Sequence, residues 1–139
     1  MNQEDKELLL KDISGRLPYG VKVQYLTESD KIYICNVDQV SIKSQCVSIA
    51  EIEHTVFTWR TIDRIKPYLR PMSSMTEEEK KEFYTFQYKF TLQTHEYREL
   101  DKEIFSEYSD WLNKKMFDYR GLIPMGLALE ASKDIYKEE

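Results

Sequence analysis

The sequence predicts one α+β domain in which an N-terminal helix and a small antiparallel sheet pack against C-terminal helices. The chain has 139 residues, a usual length for one domain. Its hydrophobic pattern is helical, then alternating, then helical again, so helices and strands are segregated. Four glycines and four prolines are too few for a linker-rich or disordered chain. The domain spans residues 1–139, with a helix and β-rich layer over 1–70 and a helical layer over 71–139.

The first element is an amphipathic helix over residues 3–14. Leu8, Leu9 and Ile13 recur at helical spacing within a charged stretch. Gly15 stands where a glycine cap would end a helix. The helix is therefore expected to stop at Gly15 and to bury its leucine-rich side.

Short strands are predicted next. Val21, Val23 and Tyr25 alternate with polar residues, and a turn at residues 27–30 joins them to a strand that begins near Ile32. Further strands are predicted over residues 39–43, 46–49 and 54–59. Because only short polar spacers separate these runs, they fit an antiparallel meander or barrel, with an SH3-like form as one option, better than parallel βαβ units.

The following stretch, residues 61–75, is predicted to be an extended or turn-rich crossover, because Pro67 and Pro71 disfavour a helix. A helix then begins after Thr76. Thr76 and Glu79 have the spacing of a capping box, and the other glutamates of the first turn suit the helix dipole.

Aromatic residues are frequent in the C-terminal half, which holds twelve of the eighteen. One helical set consists of Phe83, Phe86 and Phe90, with Tyr84 and Tyr88 beside them. A second set consists of Tyr97, Leu100, Ile104, Tyr108 and Trp111, and it either continues the first helix or forms another. Such stripes normally form core, but a face broader than a small sheet can cover would be an oligomer interface. Self-association through this aromatic helical face is therefore one predicted partner contact.

The last predicted element is a short helix with Asp118 as its N-cap and Gly126 at its end. Residues after Ser132 are expected to be frayed. Tyr119 and Arg120 are of the types enriched in binding hot spots, so they are candidate partner-binding residues. A purely structural turn is the alternative reading of the same segment.

Net charge is −5, so nonspecific binding of nucleic acid or of an acidic membrane is not expected. All of this charge belongs to residues 71–139, because residues 1–70 hold ten cationic and ten acidic residues. The first half contains a local basic segment with aromatic neighbours: Arg60, Arg64, Lys66 and Arg70. Nucleic-acid binding through these four residues is the alternative function, and ordinary solvated ion pairs are the other explanation.

The sequence predicts neither a catalytic nor a metal site, and no cofactor. Cys35 and Cys46 lack C-x-x-C spacing, and His54 and His95 are far apart. A cross-strand disulfide between the two cysteines is left open. Nucleophile and phosphate-loop motifs are not found, so an enzyme is the least favoured class. Since neither a signal peptide nor a membrane-spanning apolar run is seen, the expected location is cytoplasmic.

Two stretches resemble a known but uncharacterised family. Residues 65–79, IKPYLRPMSSMTEEE, and residues 110–123, with DWLN and FDYRGLI, are similar to proteins encoded by prophages and mobile elements of gut Bacteroidales. Relatives often carry two histidines before the phenylalanine, where this chain has Lys115 and Met116. The resemblance implies an intracellular bacterial or phage setting. The predicted function is a small non-enzymatic accessory or interaction protein whose partner is another protein.

Overall fold

The fold is α+β, as predicted. A computed structural model describes residues 1–92 and 98–137. In this part of the chain the helices are α1 (Gln3–Arg16), α2 (Glu77–Leu92) and α3 (Arg98–Lys114). The strands are β1 (Lys22–Leu26), β2 (Ile32–Ser41), β3 (Cys46–Glu51), β4 (Thr58–Thr61), β5 (Ile65–Leu69) and β6 (Leu129–Glu130). The SH3-like form of the sheet stays a prediction.

The strands form one sheet in the order β4-β3-β2-β1-β5-β6. All neighbouring pairs are antiparallel except β5 and β6, which are parallel. The predicted antiparallel sheet is confirmed, and its one parallel pair arises because a segment of the C-terminal half returns to pair with β5. The sheet is also strongly curled. The Arg60 guanidinium of β4 lies 5.2 Å from the centre of the Tyr25 ring of β1, although two strands separate them.

The core lies between α1 and the concave side of the sheet. Helix α1 contributes Leu9, Leu10 and Ile13, each at most 1% exposed. The other members of the cluster are Val21, Val23, Cys35, Val47, Ile49, Ile62, Ile65, Leu69, Met116, Leu122, Leu127 and Ala128. Burying this apolar surface is the main stabilising contribution to the fold.

Helix α1 was predicted to stop at Gly15 but continues to Arg16. The Arg16 side chain returns one turn to bind Asp12, which favours helical backbone at the end of α1. A Cβ atom at Gly15 would lie 3.5 Å from the Asn113 side chain of α3, an ordinary van der Waals contact, so packing does not require a glycine there. The left-handed glycine is Gly20 (φ 76°), which ends a 3-10 turn after α1.

The predicted strand over residues 39–43 is the end of β2, which is one long strand with a register shift between Val37 and Gln39. Such a bulge bends a strand without ending it, so the polar residues there do not mark a turn. The predicted strand over residues 54–59 is also misplaced, since β4 begins only at Thr58.

The predicted crossover at residues 61–75 contains β5. Pro67 lies opposite Val23 of β1, and Ile65, Pro67 and Leu69 are buried. Extended backbone was expected from the prolines, but a place inside the sheet was not. Proline is usually excluded from interior strands because it lacks an N–H donor, so its presence argued against β5.

The capping box of α2 is confirmed. The Thr76 amide donates to Glu79 Oε1 (2.9 Å), and the Glu79 amide donates to Thr76 Oγ1 (3.2 Å). The side chain of each residue thus accepts a hydrogen bond from the backbone N–H of the other, and neither N–H is left without a partner.

The two aromatic sets lie on separate helices that pack antiparallel. The ring centres are 6.5 Å apart in the pair Phe83 and Trp111, 5.3 Å in Phe86 and Tyr108, and 5.7 Å in Phe90 and Phe105. The phenylalanine stripe is therefore covered by α3 rather than by the sheet or by another subunit. We call these two helices the helical arm. His95, Tyr97 and the side chain of Leu100 lie outside the described residues.

The predicted helix after Asp118 is wrong, because residues 119–126 form turns. The Asp118 carboxylate accepts hydrogen bonds from the amides of Leu122 (2.8 Å) and Ile123 (2.9 Å), four and five residues later, and so holds the turns together. Gly121 has a φ of 73°, a left-handed conformation that a helix cannot contain.

The chain after Ser132 is not frayed over its described part, which extends to residue 137. The Tyr136 hydroxyl donates to the Tyr68 carbonyl (2.7 Å) and accepts from the Lys22 amide (2.9 Å). Burial raises the pKa of Tyr136 to about 12. These two bonds fix the C-terminal segment to β1 and β5.

Candidate functional site

The concave end of the curled sheet contains a depression of about 730 Å³, which we call the sheet pocket. Strands β1 to β4 and the adjoining loops provide its walls. Two facing tyrosines, Tyr25 and Tyr33, form a cross-strand pair in it. Its lining also includes the acidic residues Glu28 and Glu51, the imidazole of His54 and the guanidinium of Arg60. The sheet pocket thus combines aromatic surface with charges of both signs.

Cys35 lies in the wall of the sheet pocket but is not built as a nucleophile. Burial and the nearby Glu51 carboxylate raise the pKa of its thiol to about 11, and the Arg60 cation only partly offsets this. A reactive cysteine needs the opposite shift, because the thiolate is the attacking species. Cys35 and Cys46 are both free, so the disulfide left open by the sequence is not formed.

Two titratable side chains of the sheet pocket, His54 and Glu51, lie near each other. The His54 ring nitrogen Nδ1 lies 3.7 Å from a Glu51 oxygen, and the histidine side chain is 65% exposed. Within residues 1–92 and 98–137, the acidic, histidine and cysteine side chains form no cluster of three that would hold a metal ion.

The four predicted nucleic-acid residues lie in four different surroundings. Arg60 faces the sheet pocket and lies over Tyr25. Arg64 is exposed at the end of a 3-10 turn between β4 and β5, and Lys66 is half-buried on β5. Nucleic-acid binding by this segment stays a prediction.

Arg70, the fourth of these residues, takes part in an internal ion pair. Its guanidinium donates two bonds to the Glu79 carboxylate, at 2.8 and 2.7 Å, and one to the Ser74 carbonyl at 3.1 Å. It also lies 4.4 Å from the centre of the buried Phe117 ring. The Arg70 side chain therefore binds the start of α2 to the segment that follows α3.

The same hydrogen bonds hold the pKa of the Glu79 carboxyl at about 2, well below its ordinary 4.5. Desolvation opposes this shift, but the Arg70 bonds, the Thr76 amide and the nearby Lys115 outweigh it.

The candidate partner-binding residues Tyr119 and Arg120 are part of a second internal network. Arg120 Nη1 donates to the Tyr119 hydroxyl (2.7 Å) and to Asp12 Oδ1 (3.1 Å). The Tyr119 hydroxyl donates to Asn113 Oδ1 (2.7 Å). Both side chains already have intramolecular partners, while Arg120 keeps 21% of its side chain exposed. Their predicted role toward a partner stays a prediction.

At the centre of this network is a fully buried ion pair. Arg16 Nε and Nη2 donate to the two oxygens of Asp12, at 2.9 and 3.1 Å, and Arg16 Nη2 also donates to the Phe117 carbonyl at 2.7 Å. Our sequence reasoning missed both residues. Their four-residue spacing on the buried side of α1 was the available signal, because two opposite charges on an apolar face must pair.

Large apolar side chains are exposed on two surfaces. On the sheet and its loops, Val56 is 77% exposed and Trp59 is 50% exposed. On the helical arm the exposed residues are Tyr84, Tyr88 and Phe105, each more than 60% exposed. Exposed aromatic surface of this kind is typical of interaction sites.

Comparison with known proteins identifies no relative: the chain matches no family model, no curated protein and no solved structure. Within the described part of the chain, none of the helices has the length and hydropathy needed to cross a membrane.

Proposed function

We propose that this chain is a small non-enzymatic interaction protein, an accessory protein of a phage or mobile element acting inside the bacterial cell. The observation that carries the proposal is the helical arm. Its aromatic seam between α2 and α3 is already filled, yet Tyr84, Tyr88 and Phe105 remain outside it. The setting rests on the resemblance of residues 65–79 and 110–123 to the prophage family.

One side of the helical arm is not covered by the rest of the described fold. Most described side chains of α2 are exposed, and the helix contacts the rest of the fold mainly at its start, where Glu79 is buried. A pair of helices that packs on one side only gains stability when another surface covers the other side. A partner protein, including a second copy of this chain, would provide that cover.

The test compares the wild-type protein with the double variant Tyr84→Ser/Tyr88→Ser and with Lys81→Ser, an exposed position on the same helix. Sedimentation velocity measures self-association, and cross-linked capture from the native host measures other partners. We expect an associated species in the wild type and in Lys81→Ser that the double variant loses. Association that is identical in all three proteins would contradict the role of the arm. Specific substrate turnover by the purified protein, lost in one point variant, would contradict the non-enzymatic class.

The sequence also predicts nucleic-acid binding by the basic segment, and this second function needs a separate test. Binding of a single-stranded oligonucleotide at low salt should fall steeply as salt rises and should weaken in Arg64→Gln/Lys66→Gln. Arg70 is unsuitable for this purpose, because its side chain holds Glu79.

A further inference from the structure

Strand β4 has a free hydrogen-bonding edge. Among the described residues it pairs only with β3 and stands last in the strand order. The Ile62 amide donates to the Gln45 carbonyl (3.0 Å), and this pair continues the β3–β4 register. Because hydrogen-bonded and non-bonded pairs alternate in an antiparallel ladder, Arg60 also bonds to β3. The backbone groups of Trp59 and Thr61 therefore point away from β3, toward the free edge.

The side chains along this edge differ between its two faces. Arg60 lies opposite Val47 and faces the sheet pocket, whereas Trp59 lies opposite Ser48 on the outer face. Arg60 stacks on Tyr25 but has no carboxylate within ion-pair distance in the described part of the chain. Trp59 borders a separate outer depression of about 310 Å³. The pocket face thus offers an unpaired cation and the outer face offers apolar surface.

We propose that the β4 edge binds an extended segment of another protein by strand addition, and that this segment alternates acidic and large apolar residues. The proposal deepens the proposed function and rests on it, since it names a partner chemistry for an interaction protein. An added strand receives backbone hydrogen bonds from Trp59 and Thr61. Its residue opposite Arg60 projects into the sheet pocket, and the residues on either side project toward Trp59.

The charge of Arg60 favours an acidic residue at the opposite position of the added strand. A carboxylate opposite Arg60 forms a charge-assisted hydrogen bond with a guanidinium that has no acidic partner of its own. Glu51, the acidic residue of β3 in the sheet pocket, lies beyond the last β3–β4 pair and is 3.7 Å from His54. It therefore leaves the position opposite Arg60 open to an incoming carboxylate.

The test uses a synthetic peptide with blocked ends in which glutamate alternates with isoleucine, and a matched peptide with lysine in place of glutamate. Fluorescence anisotropy measures affinity, and amide chemical shifts locate the site. The informative variant is Thr61→Pro. Thr61 has a φ of −67°, which proline adopts without strain, so this change removes only the N–H at the free edge. Thr61→Val keeps the N–H and is the control.

We expect the glutamate peptide to bind the wild type and Thr61→Val equally and to bind Thr61→Pro at least about ten-fold more weakly, since strand addition depends on backbone hydrogen bonds. Arg60→Gln should weaken the glutamate peptide about five-fold or more and should abolish the preference over the lysine peptide. Thermal unfolding of Thr61→Pro is expected to match that of Thr61→Val, which excludes a folding defect.

Three results would overturn the proposal. The first is equal binding of the glutamate peptide to Thr61→Pro and Thr61→Val, or no binding to the wild type. The second is tighter binding of a single-stranded oligonucleotide at the same residues, which would make the edge a nucleic-acid surface. The third is self-association that Thr61→Pro removes, which would make a second copy the occupant. The first and third results leave the proposed function standing, provided that capture of partners through the helical arm still depends on Tyr84 and Tyr88. The second result would also contradict the proposed function.

Discussion

Glu79 provides the sharpest quantitative prediction, because one buried carboxylate both caps α2 and binds Arg70. Its side chain is 7% exposed, and its pKa is about 2 in the folded protein against an ordinary 4.5. Each tenfold change in a protonation equilibrium is worth about 1.4 kcal/mol, so the charged carboxylate contributes about 3 kcal/mol at neutral pH. Because the folded-state pKa is the lower one, this contribution is present above pH 4.5 and is lost as the pH falls toward 2.

The perturbation is Glu79→Gln, and the assay is urea unfolding at a series of pH values. We expect the variant to be about 3 kcal/mol less stable than the wild type at pH 7. The difference in their free energies of unfolding should shrink by about 2 kcal/mol between pH 7 and pH 3, as linkage requires. Glu77→Gln is the matched control. Glu77 lies in the same turn with an 86% exposed side chain, so a change below about 0.5 kcal/mol without this pH trend is expected. A gap for Glu79→Gln that stays constant from pH 7 to pH 3 would refute the reasoning.

Three further predictions concern the other buried polar groups. Asp12→Asn leaves the fully buried Arg16 without a carboxylate and should lower the free energy of unfolding in urea by about 3–5 kcal/mol. The double variant Asp12→Leu/Arg16→Met should recover much of that loss. A loss below about 1 kcal/mol in Asp12→Asn would contradict this prediction. A thiol reagent at pH 8 should modify Cys46 quickly and Cys35 only after denaturation, because the pKa of the Cys35 thiol is about 11; equal native rates would contradict this. Tyr136→Phe should lose about 1–3 kcal/mol in thermal unfolding, since two backbone groups lose their partner, and no loss would mean a frayed segment.

Sequence reasoning succeeded where the determining interactions are local. The capping box of Thr76 and Glu79 is a contact over three residues, and the phenylalanine stripe of α2 depends on helical spacing alone. Strand pairing depends on residues far apart in the chain. Pro67 disfavoured β5, and the two residues of β6 carry no strand signal. Both strands nevertheless join the sheet, because β5 pairs with β1 and Leu129 of β6 pairs with Tyr68 of β5.

The candidate site was harder to predict than the fold. Arg60 was selected as part of a basic segment, but its environment is set by the curl of the sheet that brings Tyr25 beneath it. The free edge at Trp59 and Thr61 follows from which strand is last in the order, and no local sequence pattern indicates that order. Arg70 has the same residue type as Arg60, yet a glutamate nine positions later makes it structural.

The two stretches on which the predicted family resemblance rests meet in the fold. Residues 65–79 and 110–123 are joined by a β-bridge between Arg70 and Phe117. The Arg70 amide donates to the Met116 carbonyl (2.7 Å), and the Asp118 amide donates to the Arg70 carbonyl (2.8 Å). Phe117 is fully buried beneath the Arg70 guanidinium. What the two stretches build together is the junction that holds the helical arm to the sheet.

Residues 115 and 116 also belong to this junction. Lys115 Nζ lies 3.9 Å from Glu79, where a cation adds to the attraction that Arg70 already exerts. Met116 is 2% exposed within the core and has a φ of 61°. Two histidines here would enter unlike surroundings, one beside a carboxylate and one in apolar core, and burying the second would carry a desolvation cost. Charge attraction at residue 115 and apolar packing at residue 116 therefore both contribute to the arm-to-sheet junction.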